Sequence, residues 1–408
     1  VNGAECEPLL RVDQQLMESM ADKIIRGLEV VIEATGAKEG VVATKEKYKG
    51  GIAALKKKLP EKISRVHLLD DFYPAGDEQV TVFEVTGRVV PQGGIPLRVG
   101  CVVVNVETLL NVADAMEGKP LTHKYLTITG EVASPCTVRL PIGTPVMEAL
   151  KLAGAKNTDD LRVIDGGPMM GKLIGNLHQP ITKTTKGLIA LPADHPVIRK
   201  RTHSCEKIIR QAKSACIQCR YCTDLCPRFL LGHNLEPHRI MRAIRNIEAA
   251  PEVLKMAFTC TECGICEQYA CFMGLSPRTV NAMLKQELSK QGVKPNPPPV
   301  EQNVEVIREH RKIPVKRLVS RLGLSLYDKP APLTEKEYSV AEVRIPVKQH
   351  VGAPGTPVVQ VGQMVKRGEV VAAAPAEGLG ANVHASISGR VTEVGDRIVL
   401  MMSEGGRQ

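Results

Sequence analysis

Two short stretches decide the fold of this chain: CIQCRYCTDLCP at residues 216–227 and CTECGICEQYACF at residues 260–272. In each stretch three cysteines stand at every third position and a fourth follows, so together they hold eight of the twelve cysteines. Three thiolates at this spacing surround one corner of an iron–sulfur cube, and a fourth cysteine followed by proline binds the other cluster. The spacing therefore predicts two [4Fe–4S] clusters.

The fourth cysteine of each stretch is predicted to cross over to the other stretch. The predicted cluster-one cysteines are Cys216, Cys219, Cys222 and Cys271, and the predicted cluster-two cysteines are Cys260, Cys263, Cys266 and Cys226. The second stretch departs from the usual pattern, because four residues rather than three separate Cys266 from Cys271 and Phe272 replaces the usual proline. Structural zinc and disulfides are the alternatives, but a zinc site uses separated cysteine pairs and leaves the third thiolate of each stretch surplus.

Length and composition limit the function classes. At 408 residues the chain exceeds one ordinary core, and about 150 residues per domain suggests three or four modules. The net charge is +10, yet the basic residues are scattered and there is no Trp and only 5 Phe for base stacking, so no nucleic-acid binding is predicted.

The same composition gives an expected location. No run of 18 or more apolar residues occurs, so no direct membrane span is predicted. Cysteines in metal spacing predict a reducing compartment, the cytoplasm. Any association with a membrane or a bacterial microcompartment is expected to depend on a partner.

The first hundred residues alternate between helical and strand patterns, which predicts an α/β domain. The predicted elements are a helix at 14–35, a strand at 40–45, a helix at 48–59 and a strand at 65–69. VVVNVETLLN at residues 102–111 predicts a buried strand running into a helix, with Asn105 as its cap. VNGAECEP at residues 1–8 predicts an acidic loop, with Glu5 and Glu7 on either side of Cys6.

VNGAECEP and VNVETLLN together resemble the flavin-binding subunit of complex I and its relatives, RnfC and the cobalamin reductase PduS. The resemblance implies FMN as cofactor and NADH as substrate. It places Asn2, Glu5 and Glu7 on the acidic loop that contacts flavin and NADH, with Glu5 and Glu7 as catalytic residues, and Asn105 and Thr108 on the FMN contact.

Two residues depart from the family pattern. Ala4 stands where the complex I protein has an aspartate, and Val104 replaces the first of two asparagines. The family's glycine-rich flavin loop is expected to lie before Val1, in an initiating segment.

The later segments resemble further modules of the same family. Short β stretches from Tyr125 to about Ile174 and the turn from Gly166 to Gly171 resemble an SLBB, or β-grasp, domain, in which Met169 and Met170 are expected to pack in the core. In the cysteine-rich segment, helices are predicted at Pro237–Ala249 and Pro277–Lys290, as in a two-cluster ferredoxin. A linker at Pro295–Pro299 and a helix at Val304–Leu322 are predicted to follow.

The last module is predicted to be a compact β fold. Its pieces VGQMVKRGEVVA and ANVHASISGRVTEV resemble a barrel-sandwich hybrid of the lipoyl type. No lysine follows Lys366, so covalent lipoylation or biotinylation of the hairpin is not predicted. A C-terminal position for this module is closest to the domain order of PduS.

The predicted fold class is therefore multidomain, α/β and α+β. The predicted domains are an FMN/NADH-binding α/β domain at 1–120, an SLBB domain at 121–192, a dicluster ferredoxin domain at 193–294, a linker and helix at 295–337, and an unmodified barrel-sandwich domain at 338–408.

The resemblance implies an electron-transfer flavoprotein that passes electrons from NADH through FMN and two [4Fe–4S] clusters to a partner. The expected acceptor is cobalamin or an electron-acceptor protein, and the chain is expected to join a larger redox complex. One alternative is an RnfC-like subunit of a complex such as methylenetetrahydrofolate reductase or proline reductase. The other is an electron-wiring subunit that binds no NADH.

Overall fold

The first module is an α/β unit built on a short parallel sheet. The computed structural model describes residues 1–60, 64–156, 158–246, 250–298, 302–334 and 336–402. The sheet has the order β1-β2-β3, and β2 and β3 pair in parallel from Gly40 opposite Ser64 to Lys45 opposite Leu69. Its elements are β1 (Asn2–Gly3), α1 (Val12–Ser19), α2 (Ala21–Thr35), β2 (Gly40–Lys45), α3 (Lys49–Lys56), β3 (Ser64–Leu69), β4 (Phe72–Tyr73), α4 (Glu78–Thr86), a 3₁₀ helix (Pro96–Val99) and α5 (Val106–Met116).

Two predictions for this module are wrong in part. The single helix predicted at 14–35 is two helices, because the backbone of Met20 leaves the helical conformation with φ −131° and ψ 31°. The buried strand predicted before Asn105 is absent from the described residues 101–104, and Val102 is 49% exposed. An isolated bridge between Asn2 and Asn105 extends the sheet on that side.

The second module is a mixed five-stranded sheet with the order β6-β5-β9-β7-β8. Its elements are β5 (His123–Gly130), β6 (Cys136–Pro141), α6 (Val146–Leu152), a 3₁₀ helix (Thr158–Asp160), β7 (Leu161–Asp165), β8 (Lys172–Leu173) and β9 (Gly187–Pro192). β5 pairs in parallel with β9 and antiparallel with β6. The turn between β7 and β8, residues 166–171, projects toward the first module, and we call it the glycine turn.

The third module is helical and carries the cysteines. Its elements are α7 (Pro196–Arg201), α8 (Cys205–Ala215), α9 (Tyr221–Asp224), α10 (Pro227–Leu230), α11 (Pro237–Ala243), α12 (Pro251–Lys255), a 3₁₀ helix (Met256–Thr259), a π-helix (Ile265–Ala270) and α13 (Pro277–Lys290). The helix predicted at Pro277–Lys290 is confirmed. The helix predicted at Pro237–Ala249 ends as a helix at Ala243, and residues 247–249 lie outside the described residues, as does residue 299 of the predicted linker.

The segment that follows packs back onto the first module. The long helix predicted at Val304–Leu322 is wrong, because Pro314 lacks an N–H group and cannot sit inside a helix. Instead there is a 3₁₀ helix (Arg308–Arg311), β10 (Ile313–Pro314), α14 (Val315–Arg321) and a 3₁₀ helix (Ser325–Tyr327). β10 pairs antiparallel with β4, so this segment closes over the first module.

The C-terminal module consists of two facing sheets, of order β11-β17-β16-β13 and β12-β14-β15. Its strands are β11 (Glu342–Pro346), β12 (Thr356–Pro357), β13 (Met364–Val365), β14 (Val370–Ala373), β15 (Val383–His384), β16 (Gly389–Val394) and β17 (Arg397–Met402). The compact β fold predicted from the sequence is confirmed. Ile142 of the second module packs into its core, and the Arg344 amide donates to the Gly143 carbonyl at 2.8 Å.

A central apolar core joins the modules that surround the glycine turn. It contains Leu9, Leu10 and Tyr73 of the first module, Ile164, Met169 and Ile189 of the second, Cys263 and Ile265 of the third, and Leu318 and Leu322 of the returning segment. Because each module contributes side chains to this core, their relative placement is fixed by buried apolar contact.

Gly27 tests the packing of α2 against α5, the helix that carries Asn105. A methyl group at Gly27 would lie 2.1 Å from the carbonyl oxygen of Leu109. We expect Gly27→Ala to lower the free energy of unfolding by about 1–3 kcal/mol, since the two helices must separate. Urea unfolding followed by circular dichroism measures this. Gly175→Ala, where no atom lies within 4 Å, is the control. Equal stability of the two variants would contradict the close approach.

Candidate functional site

A cavity of about 690 Å³ opens between the first and second modules. All five residues predicted to contact flavin or NADH line it: Asn2, Glu5, Glu7, Asn105 and Thr108. They come from two places, β1 with the loop after it and the start of α5. The cavity lies where β1 ends and α5 begins, the kind of strand end at which open α/β sheets bind ligands.

Asn2 and Asn105 shape the cavity by hydrogen bonds to the chain itself. The Asn2 amide nitrogen Nδ2 donates to the Gly76 carbonyl at 2.8 Å, and the Asn2 backbone N–H donates to the Val104 carbonyl at 2.7 Å. Asn105 caps α5, as predicted, because its Oδ1 accepts from the Glu107 N–H at 2.9 Å. Thr108 stands on the first turn of α5 with its side chain exposed.

Glu5 caps the other helix at the cavity. Its Oε1 accepts from the backbone N–H of Asp13 at 2.9 Å, and its Oε2 accepts from the Gln14 side chain at 3.1 Å. The first-turn N–H groups of a helix lack intrahelical partners, so this carboxylate satisfies a donor of α1. Burial raises the pKa of Glu5, and the nearby Asp13 adds to the increase.

Glu7 connects the cavity to the glycine turn. One carboxylate oxygen accepts from the Met169 N–H at 2.9 Å and the other from the Met170 N–H at 2.8 Å. Burial raises the pKa of Glu7, although these two hydrogen bonds and the guanidinium groups of Arg201 and Arg278 oppose the increase. Met169 is fully buried, as predicted, whereas Met170 is 46% exposed, which corrects its assignment to the core.

Four charged residues that the sequence interpretation missed form the floor of the cavity. The Lys186 ammonium contacts the carboxylates of Asp13 and Glu107, the latter at 3.3 Å, and Lys124 pairs with Glu107 as well. Burial favours a lower pKa for Lys186, but the carboxylates of Asp13 and Glu107 outweigh it and raise the pKa above its ordinary value. The sequence signal for this network is slight: a lysine within the apolar strand β5.

The two cysteine loops, residues 216–222 and 260–266, share one backbone conformation. Gln218 and Glu262, at matching positions, have φ values of 58° and 59°, and Arg220 and Gly264 have φ values of 68° and 82°. Left-handed residues at the same two positions turn each loop in the same way.

The thiols of the two cysteine stretches lie close to one another. Burial raises the pKa of Cys222 to about 12, and its neighbours Cys219, Cys216, Cys271 and Cys226 add to the shift. Cys226, Cys260, Cys263 and Cys266, the predicted cluster-two cysteines, line one small cavity. Within the described residues, no three His, Cys, Asp or Glu side chains converge as the ligands of a single ion would.

The additional residue between Cys266 and Cys271 is taken up by the π-helix Ile265–Ala270. The first loop continues instead into the short α-helix α9 before Cys226. A π-helix closes hydrogen bonds over five residues rather than four, so it lengthens the turn without moving the end points far. The fourth cysteine of the second stretch is thereby brought next to the first loop.

The remaining cysteines and nearby histidines occupy other places. Cys6 lines the large cavity, Cys136 packs against the core of the second module, Cys101 is half-buried and Cys205 is exposed. His233 contacts the Val90 carbonyl at 3.0 Å and His238 contacts Thr223 Oγ1 at 2.8 Å.

Comparison with known proteins matches each module to a family. Residues 1–114 match the Nuo51 FMN-binding domain, residues 125–173 the SLBB domain, residues 215–276 the 4Fe-4S dicluster domain and residues 331–405 the RnfC barrel sandwich hybrid domain. Over 406 residues the chain is 47% identical to the cobalamin reductase PduS of Salmonella typhimurium, in a match that covers 98% of this chain and 89% of that protein.

This chain belongs to the PduS family. The cobalamin reductase PduS of Citrobacter freundii is 46% identical over 404 residues, covering 98% of this chain and 89% of that protein. A protein of the Na⁺-translocating ferredoxin:NAD⁺ oxidoreductase complex of Acetobacterium woodii is 34% identical over 238 residues, covering 58% of this chain and 51% of that protein. A solved NAD⁺-reducing [NiFe]-hydrogenase is 18% identical with a TM-score of 0.43, covering 81% of this chain and 60% of that one.

Membership of the PduS family makes this chain an oxidoreductase with an FMN-binding domain and a 4Fe-4S dicluster domain. The volume of the cavity fits a flavin, since small-molecule pockets measure roughly 300–1,000 Å³. Gly76 lines the cavity without a side chain, and a methyl group at this position would lie only 3.0 Å from the Cys6 sulfur. The fold class predicted from the sequence is confirmed. No helix of the described residues is long and apolar enough to cross a membrane.

Iron content tests the cluster sites of this PduS-family protein. We expect about eight irons per chain, four for each cubane, and an EPR spectrum of two interacting clusters after reduction. Serine at Cys263 or Cys219 should reduce the iron content, whereas serine at Cys6, Cys101, Cys136 or Cys205 should leave it unchanged. Four irons per chain, or zinc in place of iron, would contradict the assignment.

Proposed function

We propose that this chain oxidises NADH with the help of FMN and passes the electrons through two [4Fe–4S] clusters to an acceptor. The observation that carries the proposal is the contact between the large cavity and the second cysteine loop, which Glu7 and the glycine turn make together. The acceptor we infer is cobalamin, which the name of the PduS relatives specifies, or a protein of a larger redox complex. We infer a cytoplasmic location.

FMN, when bound, supplies the conversion that this reaction needs, because hydride delivers two electrons together while a cubane accepts one at a time. In the proposed site, Asn2, Asn105 and Thr108 hold the flavin. Glu5 and Glu7 lie on the acidic loop and orient the nicotinamide. Lys186 stabilises the floor of the cavity, because its ion pairs with Asp13 and Glu107 connect the start of α1 to the start of α5.

Cys263 of the second cysteine loop shares a core with Leu10, which lines the cavity. The Tyr73 hydroxyl donates to the Cys263 carbonyl at 2.6 Å, and Cys263 and Ile265 belong to the same core as Leu9 and Leu10. On the other side of Glu7, the Met169 carbonyl packs against Gly264, where a methyl group would lie only 2.9 Å away. Short buried contacts therefore support cluster two as the first to receive electrons.

The cluster-one cysteines lie farther along the chain of contacts and nearer to solvent. In cluster one, Cys222 is buried, Cys216 and Cys271 are half-buried and Cys219 is exposed. In cluster two, Cys260 is half-buried and the other three cysteines are buried. This difference supports an order in which electrons pass from the cavity to cluster two, then to cluster one and then to the acceptor.

Glu7→Gln tests the NADH side of the cavity. The amide keeps one acceptor but places an NH₂ group against a backbone N–H, so one of the two hydrogen bonds to the glycine turn is lost. Losing a hydrogen bond to a charged group corresponds to roughly a tenfold effect or more. We expect steady-state kinetics of the full-length protein to show a KM for NADH raised about tenfold, with FMN content retained.

Glu46→Gln, which changes an exposed carboxylate in the same module, is the matched control. An unchanged KM for NADH in Glu7→Gln would remove Glu7 from the site. Loss of FMN with an unchanged KM would assign Glu7 to the flavin instead.

Cys263→Ser and Cys219→Ser test the order of the clusters. After NADH is mixed in a stopped-flow instrument, we expect flavin bleaching to persist in both variants. In Cys263→Ser the cluster absorbance should remain oxidised, whereas in Cys219→Ser cluster two should be reduced while the acceptor is not. Cys136→Ser is the control.

Acceptor reduction at the wild-type rate in Cys263→Ser would place cluster two off the path. Absence of flavin bleaching by NADH in the wild-type protein would favour an electron-wiring subunit that binds no NADH.

A further inference from the structure

Four large apolar side chains stand exposed beside the cluster-one cysteines. The exposed fraction is 57% for Ile217, 48% for Tyr221, 53% for Phe272 and 43% for Met273. Exposed apolar residues that occur singly need no explanation, but a contiguous group of this size marks an interaction site. We call these four residues the aromatic patch.

The aromatic patch is assembled from both cysteine stretches. Ile217 and Tyr221 flank Cys219 in the first loop, and Phe272 and Met273 directly follow Cys271. The rings of Tyr221 and Phe272 meet edge to face, with centroids 6.3 Å apart and planes at 84°. The crossover that brings Cys271 to cluster one therefore also builds the patch, with Phe272 in place of the usual proline at its centre.

Basic side chains border the patch. Arg220 lies between Cys219 and Tyr221 and is half exposed, although it also contacts Asp224 at 3.1 Å. Arg245 is exposed, and its guanidinium contacts the Cys216 carbonyl at 3.5 Å. Lys213 is exposed on the last turn of α8, just before Cys216. Asp224 offsets the charge of Arg220, so Arg245 and Lys213 supply the positive charge of this border.

We propose that the aromatic patch is the docking surface for an electron-accepting protein whose own surface is acidic. The proposal rests on the proposed function, because it needs a cluster at the cluster-one cysteines. Oxidation of one NADH releases two electrons and a proton, and two one-electron acceptor molecules are reduced in turn at this surface. An apolar centre with a charged border has the anatomy of a protein interface.

The positive charge at the border of the patch favours an acidic protein as the partner. Complementary charges steer the encounter and raise the association rate, an effect that salt weakens. Protruding side chains with separated charges suit a broad protein surface, whereas a small corrinoid is better held in a concave pocket. A protein acceptor therefore contacts both the exposed apolar side chains and the basic border of the patch.

Two haem proteins of opposite charge provide the probes: the soluble domain of an acidic b-type cytochrome, and the basic cytochrome c. The full-length protein is first reduced with dithionite, excess reductant is removed, and oxidation of the clusters is followed in a stopped-flow instrument. This removes NADH from the measurement. We expect the acidic cytochrome to be reduced faster, with a rate constant that falls steeply as ionic strength rises.

Two variants separate the apolar and charged contributions. Ile217→Ser with Phe272→Ser should lower the second-order rate constant for the acidic cytochrome about tenfold, since buried aromatic contacts dominate interface energies. Lys213→Glu with Arg245→Glu should lower it similarly and abolish its salt dependence. Iron content and the EPR spectrum must be unchanged, and Ile217→Ser alone tests the patch without a change beside Cys271.

Controls use exposed residues on other modules. Leu379→Ser, at a side chain that is 85% exposed on the C-terminal module, and Lys49→Glu, 73% exposed on the first module, should leave the rate constant unchanged. Equal rates for patch variants and controls would overturn the proposal.

Reduction of a small-molecule acceptor, aquacobalamin, tests whether the patch binds a corrinoid instead of a protein. If reduction of aquacobalamin falls in the Ile217→Ser, Phe272→Ser variant while cytochrome reduction does not, the patch binds a corrinoid and not a protein. Failure of NADH to reduce the clusters, with the dithionite experiment intact, would reject the proposed function and leave the docking surface standing.

Discussion

The carboxylate of Glu7 holds the functional part of this molecule together. It belongs to the loop of the first module, yet both of its oxygens accept hydrogen bonds from the glycine turn of the second module. The same turn packs on Gly264 of the second cysteine loop, and Arg278 of the third module donates to the Met169 carbonyl at 3.2 Å. A buried carboxylate without such partners would be costly, so the turn cannot move away without leaving that charge unsatisfied. The position of the cavity relative to the cluster-two cysteines is therefore fixed.

Sequence patterns predicted the local structure where one face of an element is buried. The strand at Gly40–Lys45 and the helix at Pro277–Lys290 have the predicted bounds, because apolar periodicity reports burial directly. Periodicity does not report which polar groups meet. Lys186 contacts Asp13 across 173 positions and Glu107 across 79, and Lys124 also contacts Glu107, so no local pattern could reveal the charged floor of the cavity. The resemblance to a family located the five cavity residues. It did not predict that Glu5 and Glu7 accept hydrogen bonds from α1 and from the glycine turn.

The second cysteine stretch shows a further limit of prediction from spacing. The additional residue before Cys271 was visible in the sequence, but its consequence depends on a π-helix that spacing alone does not predict. Glu267 fixes this π-helix, because its buried carboxylate accepts from the Thr279 N–H at 3.0 Å and from the Thr279 hydroxyl at 2.9 Å at the start of α13. The inserted turn is therefore held by the next helix, and Phe272 emerges at the surface instead of continuing into a helix as Pro227 does.

Burial gives the two cysteine loops different electrostatic surroundings although their backbones are alike. A [4Fe–4S] cluster with four thiolates becomes more negative when reduced, and a low-dielectric environment disfavours the more highly charged state. Cys263 of the second loop lies in the central core, whereas Cys219 of the first loop is exposed. Basic groups lie beside both loops, because Arg245 contacts the Cys216 carbonyl at 3.5 Å and the Lys285 ammonium donates to the Cys260 carbonyl at 2.7 Å. Positive charge therefore does not distinguish the two loops, but solvent at the first loop favours the more negative, reduced state of a cluster held there. In the proposed function, this difference in exposure makes electron transfer from cluster two to cluster one energetically downhill, and the same burial pattern that seats the second loop against the cavity directs electrons toward the exposed first loop.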